Sequence, residues 1–313
     1  MRYVLLIVMM VSAPVVHAAF TLNDSGKTLT LLENGKPVFD YHYALVEAPT
    51  GVPEKFRRAC YLHPLYGLDG EIMTQDFPAD HRHHRGVFWA WPNSTIGGKT
   101  IDVWALEGVR EVHENWLTKE AGEAKAEIAV QNAWVFDTAP NEPKVRETVR
   151  ITVLPATETS RAIDFDITIQ NVSNADFILA GATTANKGYG GFCFRPDASL
   201  VPMHFTDANG AVPKDQLRAE TPWADVSFSV EPESPKQCGA AIFQHPENPG
   251  FPHPGWIMRH YGFLGASWPH TEPRIFKAGE SFRLRYRLLV HRGSAEDAKV
   301  KESFQAYLEA QKK

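Results

Sequence analysis

The chain has 313 residues and a formal net charge of −5, from 32 Lys and Arg against 37 Asp and Glu. This balance gives no general attraction to nucleic acid or to an anionic membrane, so we expect no nucleic-acid partner. The three cysteines Cys60, Cys193 and Cys238 allow at most one disulfide, and the sequence does not indicate which pair would form it. None of them has the CxxC spacing of a redox or zinc site.

The first 18 residues have the pattern of a secretory signal peptide. Arg2 gives a basic start, residues 3–16 are almost continuously apolar, and residues 16–18 include the small side chains that a signal peptidase recognises. The apolar run is short for a membrane span, and no later run of about 18 apolar residues follows. We therefore expect a cleaved signal at residues 1–18, a single domain at residues 19–313, a periplasmic or secreted location, and no membrane partner after cleavage.

Alternation of apolar and polar residues predicts β-strands through most of the chain. Residues 28–32 and 37–41 flank Asn34-Gly35, which is a strong hairpin signal. Further strands are predicted at residues 126–136, 145–154, 162–172, 177–181, 199–205, 226–230, 240–244 and 281–291. In the last of these, three arginines form one face: Arg283, Arg285 and Arg287. This face is either open to solvent or the concave, ligand-holding side of a curved sheet.

One helix is predicted, at the C-terminus. Ser294 and Asp297 have the spacing of a capping box, and an apolar stripe follows at Val300, Phe304, Tyr307 and Leu308. We expect this helix to pack on the outside of the sheets. The predicted fold is all-β, a large antiparallel β-sandwich with a C-terminal α-helix.

The segment with the most chemistry is residues 80–86, Asp-His-Arg-His-His-Arg-Gly, which we call the histidine segment. Imidazoles change charge near neutral pH and are common metal ligands. His81 and His83 would share a strand face and, with His63, could hold a divalent metal. The alternatives are direct ligand or acid–base work by these histidines, or hydrogen bonds that only fix the loop.

Three further features could carry function. A proline-rich stretch, residues 243–262, projects His245, Asn248 and Arg259, or is simply an ordered loop. Glycines between Lys187 and Arg195 permit close backbone approach to a ligand, or form a plain turn. Glu147 lies on an apolar strand face, where it either pairs with an arginine or acts as a base in a pocket.

Four of these stretches, residues 61–66, 80–86, 190–195 and 240–262, together resemble the DUF6807 family, whose members are often labelled "methane oxygenase PmoA" family proteins. The resemblance runs from about Phe56 to His291. It implies a galactose-mutarotase-like supersandwich and a place among exported carbohydrate-active proteins. The sequence departs from the family pattern at Arg82, where proline is usual, and at Ile257-Met258, where a histidine often precedes Arg259.

We therefore expect an exported carbohydrate-active protein, an enzyme that acts on a sugar or an oxidised (keto or uronic) glycoside as lyase, hydrolase or epimerase. His84 and His245 are the predicted acid and base, with His81 and Arg259 as further catalytic candidates. The predicted ligand-binding residues, with a sugar stacked on a tryptophan, are His63, His83, Arg85, Trp89, Trp91, Lys187, Arg195, Asn248 and Trp256. No cofactor is expected, unless the divalent metal binds. The alternatives are a non-catalytic glycan-binding module and a metal-dependent hydrolase; the partner in each case is a small carbohydrate or an oligosaccharide.

Overall fold

The computed structural model describes residues 19–231, 234 and 236–312, so the predicted signal peptide lies outside the described residues. Antiparallel strands dominate the described chain. In chain order they are β1 Phe20–Asp24, β2 Thr28–Glu33, β3 Lys36–His42, β4 Tyr61–Leu65, β5 Val87–Ala90, β6 Asn93–Ile96, β7 Lys99–Ile101, β8 Val109–Ala121, β9 Ala126–Phe136, β10 Ala139–Val153, β11 Ser160–Asn171, β12 Phe177–Ala180, β13 Gly191–Phe194, β14 Met203–Asp207, β15 Gly210–Val212, β16 Trp223–Ser229, β17 Gln237–Gln244, β18 Trp256–Arg259, β19 Phe263–Ala266, β20 Arg274–Phe276 and β21 Ser281–Arg292. The helix α1 is Val300–Ala310.

The strands form three sheets. An eight-stranded sheet has the order β1-β2-β3-β4-β5-β13-β19-β18, and a nine-stranded sheet has the order β15-β14-β16-β17-β21-β11-β10-β9-β8. A small third sheet has the order β20-β12-β6-β7. The predicted all-β antiparallel sandwich is thereby confirmed.

The two large sheets pack face to face through aromatic side chains. Phe192 on β13 lies 4.9 Å from Phe165 on β11 and 4.8 Å from Tyr286 on β21, measured between ring centroids. Trp89 on β5 lies 6.2 Å from Phe165 in the same layer. Burial of these rings between the sheets supplies the main hydrophobic stabilisation.

The arginine face of β21 is neutralised by its neighbour strand. Arg287 bonds Asp164 through two nitrogens at 2.6 and 2.7 Å, and Arg283 pairs with Asp166. In the antiparallel register Asp164 lies directly across from Arg287, and Asp166 bonds Arg283 diagonally. Arg285 pairs with Glu247. The arginines are therefore not a row of free ligand-binding cations.

Local signals set the predicted hairpin but not the start of the helix. Asn34 and Gly35 both have positive φ, 53° and 76°, as the turn between β2 and β3 requires. Ser294 and Asp297 do bond reciprocally, at 3.0 and 3.2 Å, yet they close a turn, and the helix begins only at Val300. Lys299 has a left-handed φ of 52°, which separates the turn from the helix. The predicted cap was wrong in this respect.

The helix packs on the outer face of the nine-stranded sheet, as predicted. Phe304 contacts Phe243 on β17 with ring centroids 5.3 Å apart, and Tyr307 lies beside them. These side chains form a second buried apolar cluster, separate from the main core. No helix in the described residues is long and apolar enough to cross a membrane.

The surroundings of Glu147 differ from those predicted from the sequence. Glu147 lies in the core, where its Oε1 accepts a hydrogen bond from Asn132 at 2.9 Å, and no arginine among the described residues pairs with it. Burial raises the pKa of this carboxyl. The predicted salt bridge of Glu147 is therefore wrong.

The three cysteines, Cys60, Cys193 and Cys238, are buried as free thiols.

Candidate functional site

A cavity of about 530 Å³ opens beside the histidine segment, and we call it the histidine cavity. Its volume is typical of a small-molecule site. Strand register explains one side of it, because the start of β5, the end of β13, the start of β19 and the end of β18 lie together in the eight-stranded sheet and bring the histidine segment close to Arg259 and Tyr261. Its walls are His81, His83, His84, Pro92, Asp102, Trp104, Ala105, Ala182, Lys187, Tyr189, Arg259 and Tyr261.

The three histidines are brought together by two successive turns just before β5. The amide of His81 bonds the carbonyl of Pro78 at 3.1 Å, and the amide of His84 bonds the carbonyl of His81 at 2.9 Å. These turns stack the His81 ring on the His84 ring at 4.6 Å, and Tyr261 stacks on the other side of His81 at 5.0 Å. The His83 ring stands perpendicular to His84 at 4.7 Å.

Arg85 fixes this segment from inside the protein. It is fully buried, and its guanidinium donates to the carbonyls of Arg82 at 3.0 Å and His84 at 2.7 Å, and to that of Phe56. Its Nε lies 3.2 Å from a carboxylate oxygen of Asp76. All these partners belong to the protein, so Arg85 holds the histidines in place and does not reach a ligand, contrary to the sequence-based expectation.

Arg195 fixes the other end of the same segment. Its side chain is buried, and Nη2 donates to both carboxylate oxygens of Asp80 at 2.8 and 3.0 Å. Asp80 in turn lies 3.0 Å from the Nδ1 atom of His81. Arg195 therefore positions His81 through Asp80, and it is absent from the cavity wall where the sequence placed it.

The opposite wall comes from the loop between β7 and β8, which the sequence analysis missed. Asp102 accepts a hydrogen bond from the amide of Ala105 at 2.7 Å, and Trp104 presents its edge to His84 at 5.3 Å. Arg58, buried and paired with Glu111, anchors this loop by donating to the carbonyl of Val103 at 3.0 Å. The sequence contains no motif that links this loop to the histidine segment, because the two come together only when the sheet folds.

A polar side of the cavity is built from two further loops. Arg259 donates from Nε to Asp215 at 2.7 Å and from Nη1 to the hydroxyl of Tyr189 at 2.6 Å. The Tyr189 hydroxyl lies 3.4 Å from that of Tyr261. Lys187 is exposed at the rim, on the same loop as Tyr189.

Burial sets the protonation of the cavity walls. It lowers the pKa of His83 to about 3, and burial next to His83 and His81 lowers the pKa of His84 well below its ordinary value. Both imidazoles are thus neutral at pH 7. Burial raises the pKa of Asp102 to about 6, so this carboxyl exchanges a proton near neutral pH. The cavity holds neutral bases and a weak acid together.

The Nδ1 atom of His84 has no hydrogen-bond partner in the described residues, although it is buried. A buried polar atom without a partner is costly, and one in a residue that lines a cavity is a candidate to bond a ligand. His84 is therefore the histidine of this cavity with the clearest unmet bonding capacity.

Other predicted ligand-binding residues lie elsewhere. Trp89, Trp91 and Trp256 are buried in the core and leave no ring face for a sugar, so the predicted stacking on Trp89 or Trp91 does not fit this arrangement. His63 lies on β4, where its Nδ1 bonds Thr74 at 3.0 Å. Asn248 ties its loop to β21 through two hydrogen bonds of 2.7 Å to the Arg285 backbone.

His245 is separated from the histidine cavity. Its Nε2 bonds Gln311 after the C-terminal helix at 2.8 Å, and its Nδ1 accepts from the amide of Glu247 at 3.0 Å. It lines a depression of about 170 Å³ on the outer face of the nine-stranded sheet. The structure therefore does not bring the predicted pair His84 and His245 together.

No metal-binding arrangement is found in residues 19–231, 234 and 236–312, where no three His, Cys, Asp or Glu side chains are placed to share an ion. The rings of His81 and His83 lie 5.9 Å apart and perpendicular, and His63 does not line the cavity. The predicted trio of His63, His81 and His83 is therefore not assembled.

A second depression of comparable size, about 570 Å³, lies at the turn between β8 and β9. It is lined only by residues 119–125 and 127, which belong to one hairpin. The histidine cavity differs because residues from four loops converge on it, as in ligand sites generally.

Comparison with known proteins identifies the family of the chain and several solved structures that are similar to it. A family model described as "Family of unknown function (DUF6807)" matches residues 28–305. No curated protein matches the sequence. A similar solved structure is a galactose mutarotase-like protein from Lactobacillus casei ATCC 334, with 9% identity, a TM-score of 0.41, and coverage of 87% of this chain and 100% of that chain. Another is galactose 1-epimerase from Lactobacillus acidophilus NCFM, with 9% identity, a TM-score of 0.38, and coverage of 88% of this chain and 99% of that chain.

A third similar structure is the GH36 alpha-galactosidase AgaA from Geobacillus stearothermophilus, at 9% identity and a TM-score of 0.40. The match covers 87% of this chain but only 40% of the galactosidase. These similarities concern the fold. Since the family model matches most of its length, the chain belongs to the DUF6807 family, as its sequence motifs predict.

Proposed function

We propose that the protein is a carbohydrate-active enzyme that binds a sugar ring in the histidine cavity and exchanges protons with it. The observation that carries this proposal is the convergence of Asp102, His84 and Trp104 on one cavity of about 530 Å³. Aromatic walls favour the apolar faces of a sugar ring, while cations and imidazoles bond its oxygens. Export by residues 1–18 would place this chemistry in the periplasm or outside the cell.

Asp102 and His84 are the proposed acid and base. A group with a pKa of about 6 can donate or accept a proton at neutral pH, which suits Asp102 to general acid–base catalysis. His84 lines the cavity and is neutral at pH 7, as a base must be, and burial makes it a weaker base than a free imidazole. Asp102 takes the role that the sequence analysis gave to His245.

The test is turnover of a sugar panel followed by proton NMR, with neutral, uronic and 3-keto sugars as substrates. We expect His84→Gln and Asp102→Asn each to lower the rate at least ~100-fold, the lower range for general acid–base groups. His245→Gln is the matched control because it changes a buried histidine outside the cavity, and its rate should equal that of the wild type.

Three outcomes separate the alternatives. Full activity of both cavity variants, or loss of activity in His245→Gln, would contradict the proposal. Saturable binding of a sugar with no product would instead indicate a glycan-binding module. Turnover that chelator abolishes and zinc or manganese restores would indicate the metal-dependent hydrolase.

A further inference from the structure

The histidine cavity has two cations at its polar side whose bonding capacity the protein does not fill. Lys187 is exposed at the rim and forms no ion pair with any described residue. Arg259 uses Nε for Asp215 and Nη1 for Tyr189, while its Nη2 has no partner among the described residues. Both side chains line the same cavity.

Of these two cations, Arg259 has an acidic partner in Asp215, whereas Lys187 has none among the described residues. Asp215 lies behind Arg259 and accepts bonds from both Arg259 and His260, so it is not a wall of the cavity. Asp102 is the cavity's own carboxyl, and with a pKa of about 6 it is mostly ionised at pH 7 and mostly protonated below pH 6. Lys187 and the Nη2 atom of Arg259 therefore remain able to donate to an anionic ligand, and a hydrogen bond from a cation to an anion is about twice as strong as a neutral one.

The position of the cations relative to the aromatic rings limits the ligand further. Tyr189 is both the hydrogen-bond partner of Arg259 and an edge neighbour of Trp104, with ring centroids 5.9 Å apart. A ring that lies against Trp104 and Tyr189 would bring a substituent to Arg259. A planar anionic substituent matches a guanidinium nitrogen and a lysine ammonium.

We propose that the ligand of the histidine cavity is a sugar that carries a carboxylate, a uronic acid or a uronate-ended oligosaccharide, with the carboxylate held by Lys187 and Arg259. This inference rests on the proposed function, since it names the class of sugar that the same cavity takes. The carboxylate then lies at the polar side of the cavity, and His84 belongs to the wall that the ring contacts.

The test compares matched sugars that differ in one group, by isothermal titration calorimetry. Glucuronate is compared with glucose, galacturonate with galactose, and glucose 6-phosphate serves as an anion of different shape. We expect the uronates to bind at least ~10-fold tighter than their neutral partners, and this preference to weaken as salt is raised. Lys187→Met and Arg259→Gln should each reduce the ratio towards one.

Lys36→Met is the matched control, because Lys36 is exposed at the start of β3, far along the chain from the cavity loops. It should keep the full preference for uronates. Equal binding of neutral and uronic sugars, unchanged by the two cavity variants, would overturn the inference and leave the proposed function standing. Preference for glucose 6-phosphate would also overturn it. Failure of every sugar to bind would refute the proposed function itself.

Discussion

Replacing Arg85 by methionine tests whether this residue is structural or ligand-binding. The substitution removes three hydrogen bonds to carbonyl oxygens and the contact with the Asp76 carboxylate, all inside the protein. It also removes the guanidinium from the face of Phe77, 3.6 Å away. Breaking a buried ion pair from one side costs about 3–5 kcal/mol, because the remaining partner is left uncompensated.

A loss of this size lowers the melting temperature by about 5–8 °C in a chain of this length. Thermal unfolding followed by circular dichroism measures the shift. Arg274→Met is the matched control, since its pair with Glu272 is about half exposed and 3.4 Å long. Such surface pairs contribute about 0–1 kcal/mol, so the control should melt close to the wild type.

Melting of Arg85→Met at the temperature of the control would refute this reasoning. If stability is unchanged while sugar binding is lost, Arg85 is a ligand-binding residue, as its position in the sequence suggests, and the contacts with Phe56, Arg82 and Asp76 have no energetic weight.

Three further variants probe other parts of the structure. Gly188→Ala should lower the free energy of unfolding in urea by about 1–3 kcal/mol, because Gly188 has a φ of +72° and an added Cβ would lie 1.9 Å from the Nε2 atom of His270. Stability equal to that of the wild type would contradict the close approach of these two loops. Asp102→Asn should flatten the pH dependence of stability. The pKa of Asp102 in the folded protein, about 6, exceeds its ordinary value of 3.8, so the wild type loses stability as pH rises from about 4 to about 6. An unchanged pH profile in the variant would argue against a buried Asp102. Phe304→Ala should cost about 3–5 kcal/mol in the same urea assay, since it empties the contact with Phe243, and a loss below about 1 kcal/mol would indicate that the helix is not docked.

The sheets could be predicted from the sequence because strand alternation is a local signal. Ile163, Phe165 and Ile167 point into the core while Asp164 and Asp166 pair with arginines on β21, as the period of two requires. The Asn34-Gly35 turn is equally local. The start of the helix was not predictable from Ser294 and Asp297, since the same reciprocal bonds also close a turn.

The candidate site was only partly predictable because it depends on contacts between distant loops. His81, His83, His84, Lys187 and Arg259 do line one cavity. Sequence alone could not show which of two neighbouring buried side chains meets the cavity: His84 and Arg85 are both buried, yet only His84 lines it. Arg85 donates to backbone carbonyls inside the protein. Strand β5 is buried on both faces, so Trp89 on that strand cannot contact a ligand.

Asp102 and Trp104 carried no motif that marks them. Their role depends on the anchoring of their loop by Arg58, which lies more than 40 positions earlier in the chain. A carboxyl whose pKa is raised by burial can be recognised only when its surroundings are known.

The most direct test of the central claim is a titration of protein labelled with ¹⁵N-histidine, in which glucuronate is added and the imidazole nitrogens are followed by NMR. Variants in which one histidine is changed to glutamine assign the signals. We expect His83 and His84 to shift together along one saturable curve while His245 does not move. A shift of His245 alone, or no shift of any cavity histidine at saturating sugar, would contradict a sugar site in the histidine cavity.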